Sequence, residues 1–265
     1  MFREVQLCRA LISRMMPAQP DPQHRHLRIV IGWLSGLMGN LAFHRSDCAG
    51  ATTHFAAAAQ LGIDIHDDRL AAWARGAQSM VARYQGRFVD ALNYAEDGFR
   101  YAHSPIARAQ LLAWAQLPAL AGLQRHADAD HVLGQARREL DRDPNGETPG
   151  RFGFDRAELA LHAADANIIL GRPDQARTYA QTSIDHKRPD TPGWAAATIT
   201  LAQAEFTRRP DHTAELSHHV LDRIPPNQLR DTTRRRLAVA DTLLLSINHP
   251  RADELHERLR TLPAC

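Results

Sequence analysis

Six alanines recur at a nearly fixed interval, and that interval decides what this chain can fold into. Ala51, Ala91, Ala129, Ala176, Ala214 and Ala252 follow one another at 40, 38, 47, 38 and 38 residues. Each has a helix-like segment and a short breaker before it, and a second helix-like segment after it. Gly39-Asn40-Leu41-Ala42-Phe43-His44-Arg45-Ser46-Asp47-Cys48-Ala49-Gly50-Ala51 aligns in this way with Ser79-Met80-Val81-Ala82-Arg83-Tyr84-Gln85-Gly86-Arg87-Phe88-Val89-Asp90-Ala91. A period of this size is the signature of stacked helix pairs, each packing on its neighbours. The alanine has a steric reason. Two antiparallel helices joined by a tight turn bring their backbones together, and a larger side chain would push them apart. Twelve residues earlier stand Gly39, Ser79, Leu117, Ala164, Ala202 and Ala240. Seven residues later stand Ala58, Gly98, Ala136, Ser183, Leu221 and Leu259. This later column turns from small to leucine in the last two pairs, which predicts looser packing or a changed angle there.

Alternating β-branched runs are missing, while alanine and leucine recur at helical spacing. The pairs read as 23–45 with 47–61, 68–85 with 87–102, 106–123 with 126–141, 154–170 with 173–186, 193–207 with 210–223, and 230–247 with 250–262. Breakers fall between them at Pro17 to Pro22, Ser104-Pro105, Gly171-Arg172-Pro173, Pro189 to Gly193, Pro225-Pro226 and His249-Pro250. Residues 1–22 read as a capping helix and linker, with Leu7, Leu11 and Met15 on one face of Phe2 to Met16. Residues 23–262 read as the repeats. The 47-residue interval contains Asp141 to Gly150, a turn-rich insertion expected to be the most flexible loop.

A net charge of +2 gives no strong field for nucleic acid or an anionic membrane. Lys187 is the only lysine; arginine supplies the other positive charges. Cys8, Cys48 and Cys265 form no CxxC unit, which disfavours a disulfide framework and suits a reducing cytoplasm. Glu4 and Arg9 interrupt any signal-peptide pattern, so a cytoplasmic location is expected. Ile29 to Phe43 is apolar but shorter than the ~20 residues of a bilayer span, so no membrane partner is expected.

These residues resemble the tetratricopeptide repeat. Gly86-Arg87-Phe88-Val89-Asp90-Ala91 and the set Gly39, Asp47, Ala51 and Ala58 carry the resemblance best. The period here is a few residues longer than the family's ~34. Gly32 to Ala42, Arg69 to Gly76 and Phe152-Gly153-Phe154 also look like the repeat module of actinobacterial helix-turn-helix regulators. The resemblance covers roughly residues 23–262. It implies an all-α, right-handed superhelical solenoid of about six helix pairs. With only some twenty residues before the first repeat, no DNA-reading domain is expected and direct DNA binding is not carried over.

The tetratricopeptide pattern further implies which residues line the concave groove. These are Trp33, Gly36, Asn40, Phe43 and His44; then Trp73, Gly76, Met80, Arg83 and Tyr84; then Leu111, Trp114, Pro118, Ala121 and Gly122. The fourth and fifth repeats contribute Glu158, Leu161, Asp165, Ile168 and Ile169, and Ala196, Ile199, Gln203, Phe206 and Thr207. The expected ligand-binding set is Trp33, Asn40, Phe43, His44, Trp73, Met80, Arg83, Tyr84, Trp114, Asp165, Gln203 and Phe206. Gly36 and Gly76 would leave room beside Trp33 and Trp73. The tryptophans either line an apolar pocket or fill the core between repeats.

Fifteen histidines invite a metal reading. His218 and His219 are adjacent, and so diverge by about 100° on a helix; no metal or cofactor is expected. Glu158, His162 and Asp165 share a helix face and could act as an acid/base set. No phosphate-binding glycine loop, GxSxG elbow, HExxH or paired CxxC occurs. Arg230, Arg234, Arg235 and Arg236 read as a solvated basic face. The expected function is a regulatory or scaffolding module that binds a peptide, partner protein or small molecule in its groove, with a homodimer as an open option. The alternative is a biosynthetic enzyme using the groove as a reaction chamber, with Glu158, His162, Asp165, His44 and Tyr84 as acid/base candidates. A third option is a DNA-free remnant that pairs with a separate regulator.

Overall fold

A computed structural model describes residues 2–15, 21–148 and 152–263. No strand occurs among the described residues. The helices are α1 (Phe2–Met15), α2 (Asp21–Phe43), α3 (Cys48–Asp64), α4 (Asp68–Tyr84), α5 (Phe88–Phe99), α6 (Pro105–Gln110), α7 (Leu117–Gly122) and α8 (His126–Arg142). They continue as α9 (Arg156–Ile169), α10 (Pro173–Asp185), α11 (Pro192–Glu205), α12 (Pro210–Arg223), α13 (Asp231–Ser246) and α14 (Ala252–Arg260). The boundaries lie within a few residues of those read from the sequence. Met16, Pro17 to Pro20, Pro149, Gly150 and Cys265 fall outside the described residues.

The period has a backbone cause. Each of the first four helix pairs turns through one left-handed residue five positions before its marker alanine: Ser46, Gly86, Gln124 and Gly171. There the chain reverses in the same way each time. Asp47 N donates to Ala42 O at 3.0 Å, Arg87 N to Ala82 O at 2.9 Å, Arg125 N to Leu120 O at 3.0 Å and Arg172 N to Asn167 O at 2.8 Å. These are Schellman closures, which satisfy the last carbonyls of one helix while aiming the chain back along it. Side-chain caps start several helices: Asp47 accepts from Gly50 N at 2.8 Å, Asp67 from Leu70 N at 3.0 Å and Asp155 from Glu158 N at 2.8 Å.

The marker alanines are all buried in the seams between paired helices. Leu221 and Leu259, where the later column turns to leucine, are only partly buried. The α11–α12 and α13–α14 seams are less extensive than those of α2–α3 and α4–α5.

The segment expected as one helix over 106–123 is helical but not uniform. Leu111–Gln116 forms a π turn between α6 and α7, and Leu117 N donates to Leu112 O, one residue beyond the α pattern. Pro118 explains it. Its nitrogen has no proton for the Trp114 carbonyl, so the preceding turn widens.

The chain divides into two compact units, Met1–Phe154 and Asp155–Cys265. Phe43, Phe55, Leu70 and Trp73 centre one core in the N-terminal unit. Ile199, Val220, Ile224 and Leu237 centre one in the C-terminal unit.

Candidate functional site

In the N-terminal unit, glycines on one first helix seat tryptophans from the next. A Cβ on Gly36 would stand 2.8 Å from Trp73 Cζ3, and one on Gly76 would stand 2.8 Å from Trp114 Cζ3. Each glycine thus makes room for the ring of the following pair, not for the tryptophan three residues before it. The result is a ladder. Trp33 and Trp73 have ring centroids 5.9 Å apart, and Trp73 and Trp114 6.0 Å apart. Trp114 reaches the ladder from the π turn.

Phe152 completes the cluster with its edge, 5.1 Å from Trp33 and 4.9 Å from Trp73. Hydrogen bonds hold its segment in place. Thr148 N donates to Phe154 O at 3.1 Å, and Gln110 Nε2 donates to Gly153 O at 3.2 Å. Between this segment and α4 opens a cavity of about 430 Å³, walled by Trp33, Trp73, Tyr101, Phe152 and Phe154. Its polar groups are Asp68, Arg69, His103, Ser104, Gln110 and Thr148. The Arg69 guanidinium lies 5.6 Å from the Trp33 ring centroid, a cation–π placement. His103 Nε2 lies 3.2 Å from Asp68 Oδ2. The volume falls in the range of small-molecule sites, and the lining has their composition: apolar walls with a few polar groups.

Of the residues expected from sequence, Trp33, Trp73 and Leu111 line this cavity, and Trp114 packs behind it. Asn40, Phe43, His44, Met80, Arg83 and Tyr84 do not line it. They lie further along α2 and α4, where Phe43, Met80 and Tyr84 share the core that holds Trp73. The Phe43 and Tyr84 rings meet edge to face at 5.0 Å, and the Arg83 guanidinium lies 4.7 Å from the Tyr84 centroid. Phe43 is fully buried, and Asn40 Oδ1 is buried with no hydrogen-bond partner among the described residues.

In the C-terminal unit the expected polar residues are engaged by the fold. Asp165 Oδ1 accepts from Thr200 Oγ1 at 3.0 Å and from Arg236 Nε at 3.3 Å, and its Oδ2 accepts from Arg236 Nη2. Gln203 Nε2 donates to Arg236 O at 2.8 Å. Phe206 packs against the cluster of Ala214, Leu244, Ala252 and Leu255. Lys187, the only lysine, is ion-paired with Glu158, and His162 Nε2 lies 3.8 Å from Glu158 Oε2. Burial pushes the Glu158 carboxyl up, but Lys187, His162 and Arg230 together outweigh it and hold it below its ordinary value. A carboxylate held ionised in this way is a poor proton donor at neutral pH.

His218 and His219 diverge as expected. His218 is buried beside Arg258, and His219 meets the Trp194 ring edge to face at 5.5 Å. Burial holds His218 below the usual histidine value; Glu254 opposes this and Arg251 and Arg258 reinforce it. Among the described residues, no group of three or more histidine, cysteine, aspartate or glutamate side chains could hold a metal ion. No described helix is long and apolar enough to cross a membrane.

Sequence reasoning missed Tyr101, Phe152 and Phe154 as cavity walls, and Asp68, Arg69, His103 and Gln110 as polar groups. The available signal was Phe152-Gly153-Phe154, two aromatics closing a turn-rich insertion. Register could not find it, because this segment lies outside the repeat. No protein-family model and no curated protein matches the chain.

Proposed function

We propose that this protein is a ligand-binding module of the tetratricopeptide type, acting in the cytoplasm as a regulatory or scaffolding component. Its helix pairs wind as a right-handed superhelix. Its N-terminal unit holds the flat aromatic or apolar part of a small molecule or peptide. The observation that carries this reading is the tryptophan ladder closed by Phe152 and opening on a cavity of about 430 Å³. A planar group can slide against Trp33 and Tyr101, and Arg69, already set above Trp33, stands ready for an acidic substituent.

The test is a titration of the whole chain with anilinonaphthalene sulfonate, a planar aromatic anion, followed by probe emission and tryptophan quenching. One saturable site is expected. Arg69→Ala should weaken it and Tyr101→Ala should nearly abolish it, with the helical circular-dichroism spectrum retained. Binding that never saturates, or that both variants leave unchanged, contradicts the proposal.

A further inference from the structure

Asp68 and Arg69 are neighbours in the first turn of α4, carry opposite charges and both line the aromatic cavity of the N-terminal unit. Both are exposed, which places them at its mouth. They do not pair with each other. Successive helical residues leave the axis about 100° apart, so their side chains diverge. Arg69 lies over the Trp33 ring, and among the described residues its guanidinium has no hydrogen bond and no ion pair. Asp68 Oδ2 lies 3.2 Å from His103 Nε2, while its Oδ1 has no donor among the described residues. Capping does not account for Asp68, because Asp67 accepts from Leu70 N at the start of α4. Gln110, also in the lining, donates through Nε2 to Gly153 O, and its Oε1 likewise has no donor among the described residues.

The cavity thus offers one cation without an acceptor and two oxygens without a donor, beside aromatic walls. We infer that its ligand is a zwitterion, an aromatic α-amino acid. The ring packs against Trp33, Tyr101 and Phe152, the carboxylate meets Arg69, and the ammonium meets Asp68 Oδ1 and Gln110 Oε1. A guanidinium can rest its face on a ring and still present a two-pronged edge to a carboxylate. An ammonium brings three donors and no acceptor, which matches the two oxygens. An aromatic acid lacking the amine would leave Asp68 unmatched beside a like charge, and an aromatic amine lacking the acid would leave Arg69 unmatched. This ligand class rests on the cavity being an aromatic-binding site, as proposed above, and adds the second charge to it.

Isothermal titration calorimetry of the whole chain tests it with three compounds that share one ring: L-tryptophan, indole-3-propionate, which lacks the ammonium, and tryptamine, which lacks the carboxylate. L-tryptophan should bind about two- to fivefold tighter than either, the range expected of ion pairs open to solvent. Asp68→Asn should erase its advantage over indole-3-propionate while keeping that over tryptamine. Arg69→Gln should do the reverse, and both variants should retain the helical circular-dichroism spectrum. A wild type that binds all three equally, that favours either singly charged compound, or that binds none of them overturns the inference. So does a preference for L-tryptophan that both variants leave intact. The aromatic reading fails separately. If anilinonaphthalene sulfonate saturates one site and the three indoles displace it equally, the cavity is an aromatic site without zwitterion selection. If neither the probe nor the indoles bind, both readings fall.

Discussion

The face built by α2, α4 and the π turn in the N-terminal unit carries Trp33, Trp73 and Trp114. The corresponding face of the C-terminal unit, built by α9, α11 and α13, carries Asp165, Thr200, Gln203 and Arg236. One register position is filled by Asn40, Met80, Pro118, Asp165 and Gln203 in turn. In the first unit the face is filled by rings seated on glycines, and the tilted tryptophan rings, met edge-on by Phe152, leave a cavity beside them. In the second it is filled by an ion pair whose Asp165 Oδ1 also accepts from Thr200 Oγ1, beside Gln203 Nε2, which donates to the backbone carbonyl of Arg236. A polar residue at a groove position is therefore not a binding anchor in itself. Where the next helix supplies its partner, it is part of the fold.

The sharpest way to break this comparison is to remove the central ring. Trp73→Ala should cost about 3–5 kcal/mol, since Trp73 is buried and touches Trp33, Trp114, Phe55 and Phe152. Chemical denaturation followed by circular dichroism measures it; a loss below about 1 kcal/mol would show that the ladder is not structural.

In the other unit, Arg236→Ala should cost about 3 kcal/mol by leaving Asp165 largely buried without its cation. The double change with Asp165→Ala should recover part of that loss. Equal losses in the single and double variants would contradict the pairing.

Between these lies the glycine seat. Gly36→Val should cost about 1–3 kcal/mol by driving a side chain into the Trp73 ring, and it should reduce binding of the aromatic probe. Unchanged stability and binding would mean that the ring has free room to move.

The smallest effect is pH-dependent. Glu158 has a lowered folded-state pKa, so its contribution is present above its ordinary 4.5 and is lost as pH falls through the folded value. Lys187→Met removes the main opposing charge and lets burial raise that pKa. The variant should lose about 1 kcal/mol at neutral pH, with the deficit shrinking on acidification as Glu158 takes up a proton. A deficit that grows toward acid would reverse the assigned sign.

Much of the fold was legible because its cause is local. The marker alanines, the small residues around them and the breakers between helices all act within a few residues of themselves. The partnership of Trp33 and Trp73 followed from their 40-residue separation, equal to that of Ala51 and Ala91. The π turn was not foreseen, although Pro118 marks it, because periodicity cannot show a one-residue widening. The seats at Gly36 and Gly76 were assigned to the wrong ring, because a ring's reach across a seam depends on its rotamer. Phe152 stands in a nonrepeating segment, so register could not find it. The engagement of Asp165 by Arg236, 71 residues away, has no local trace at all.

The central claim is that an aromatic ligand enters the N-terminal face and finds no equivalent in the C-terminal unit. The four tryptophans divide three to one between the units, which makes Trp194 an internal control. The direct measurement is a nitrogen-15 correlation spectrum of the indole N–H groups, with anilinonaphthalene sulfonate titrated into the whole chain. The signals of Trp33 and Trp73 should move together and saturate, that of Trp114 should move less, and that of Trp194 should stay fixed. If Trp194 moves while Trp33 and Trp73 hold still, or if no signal moves, the account is contradicted.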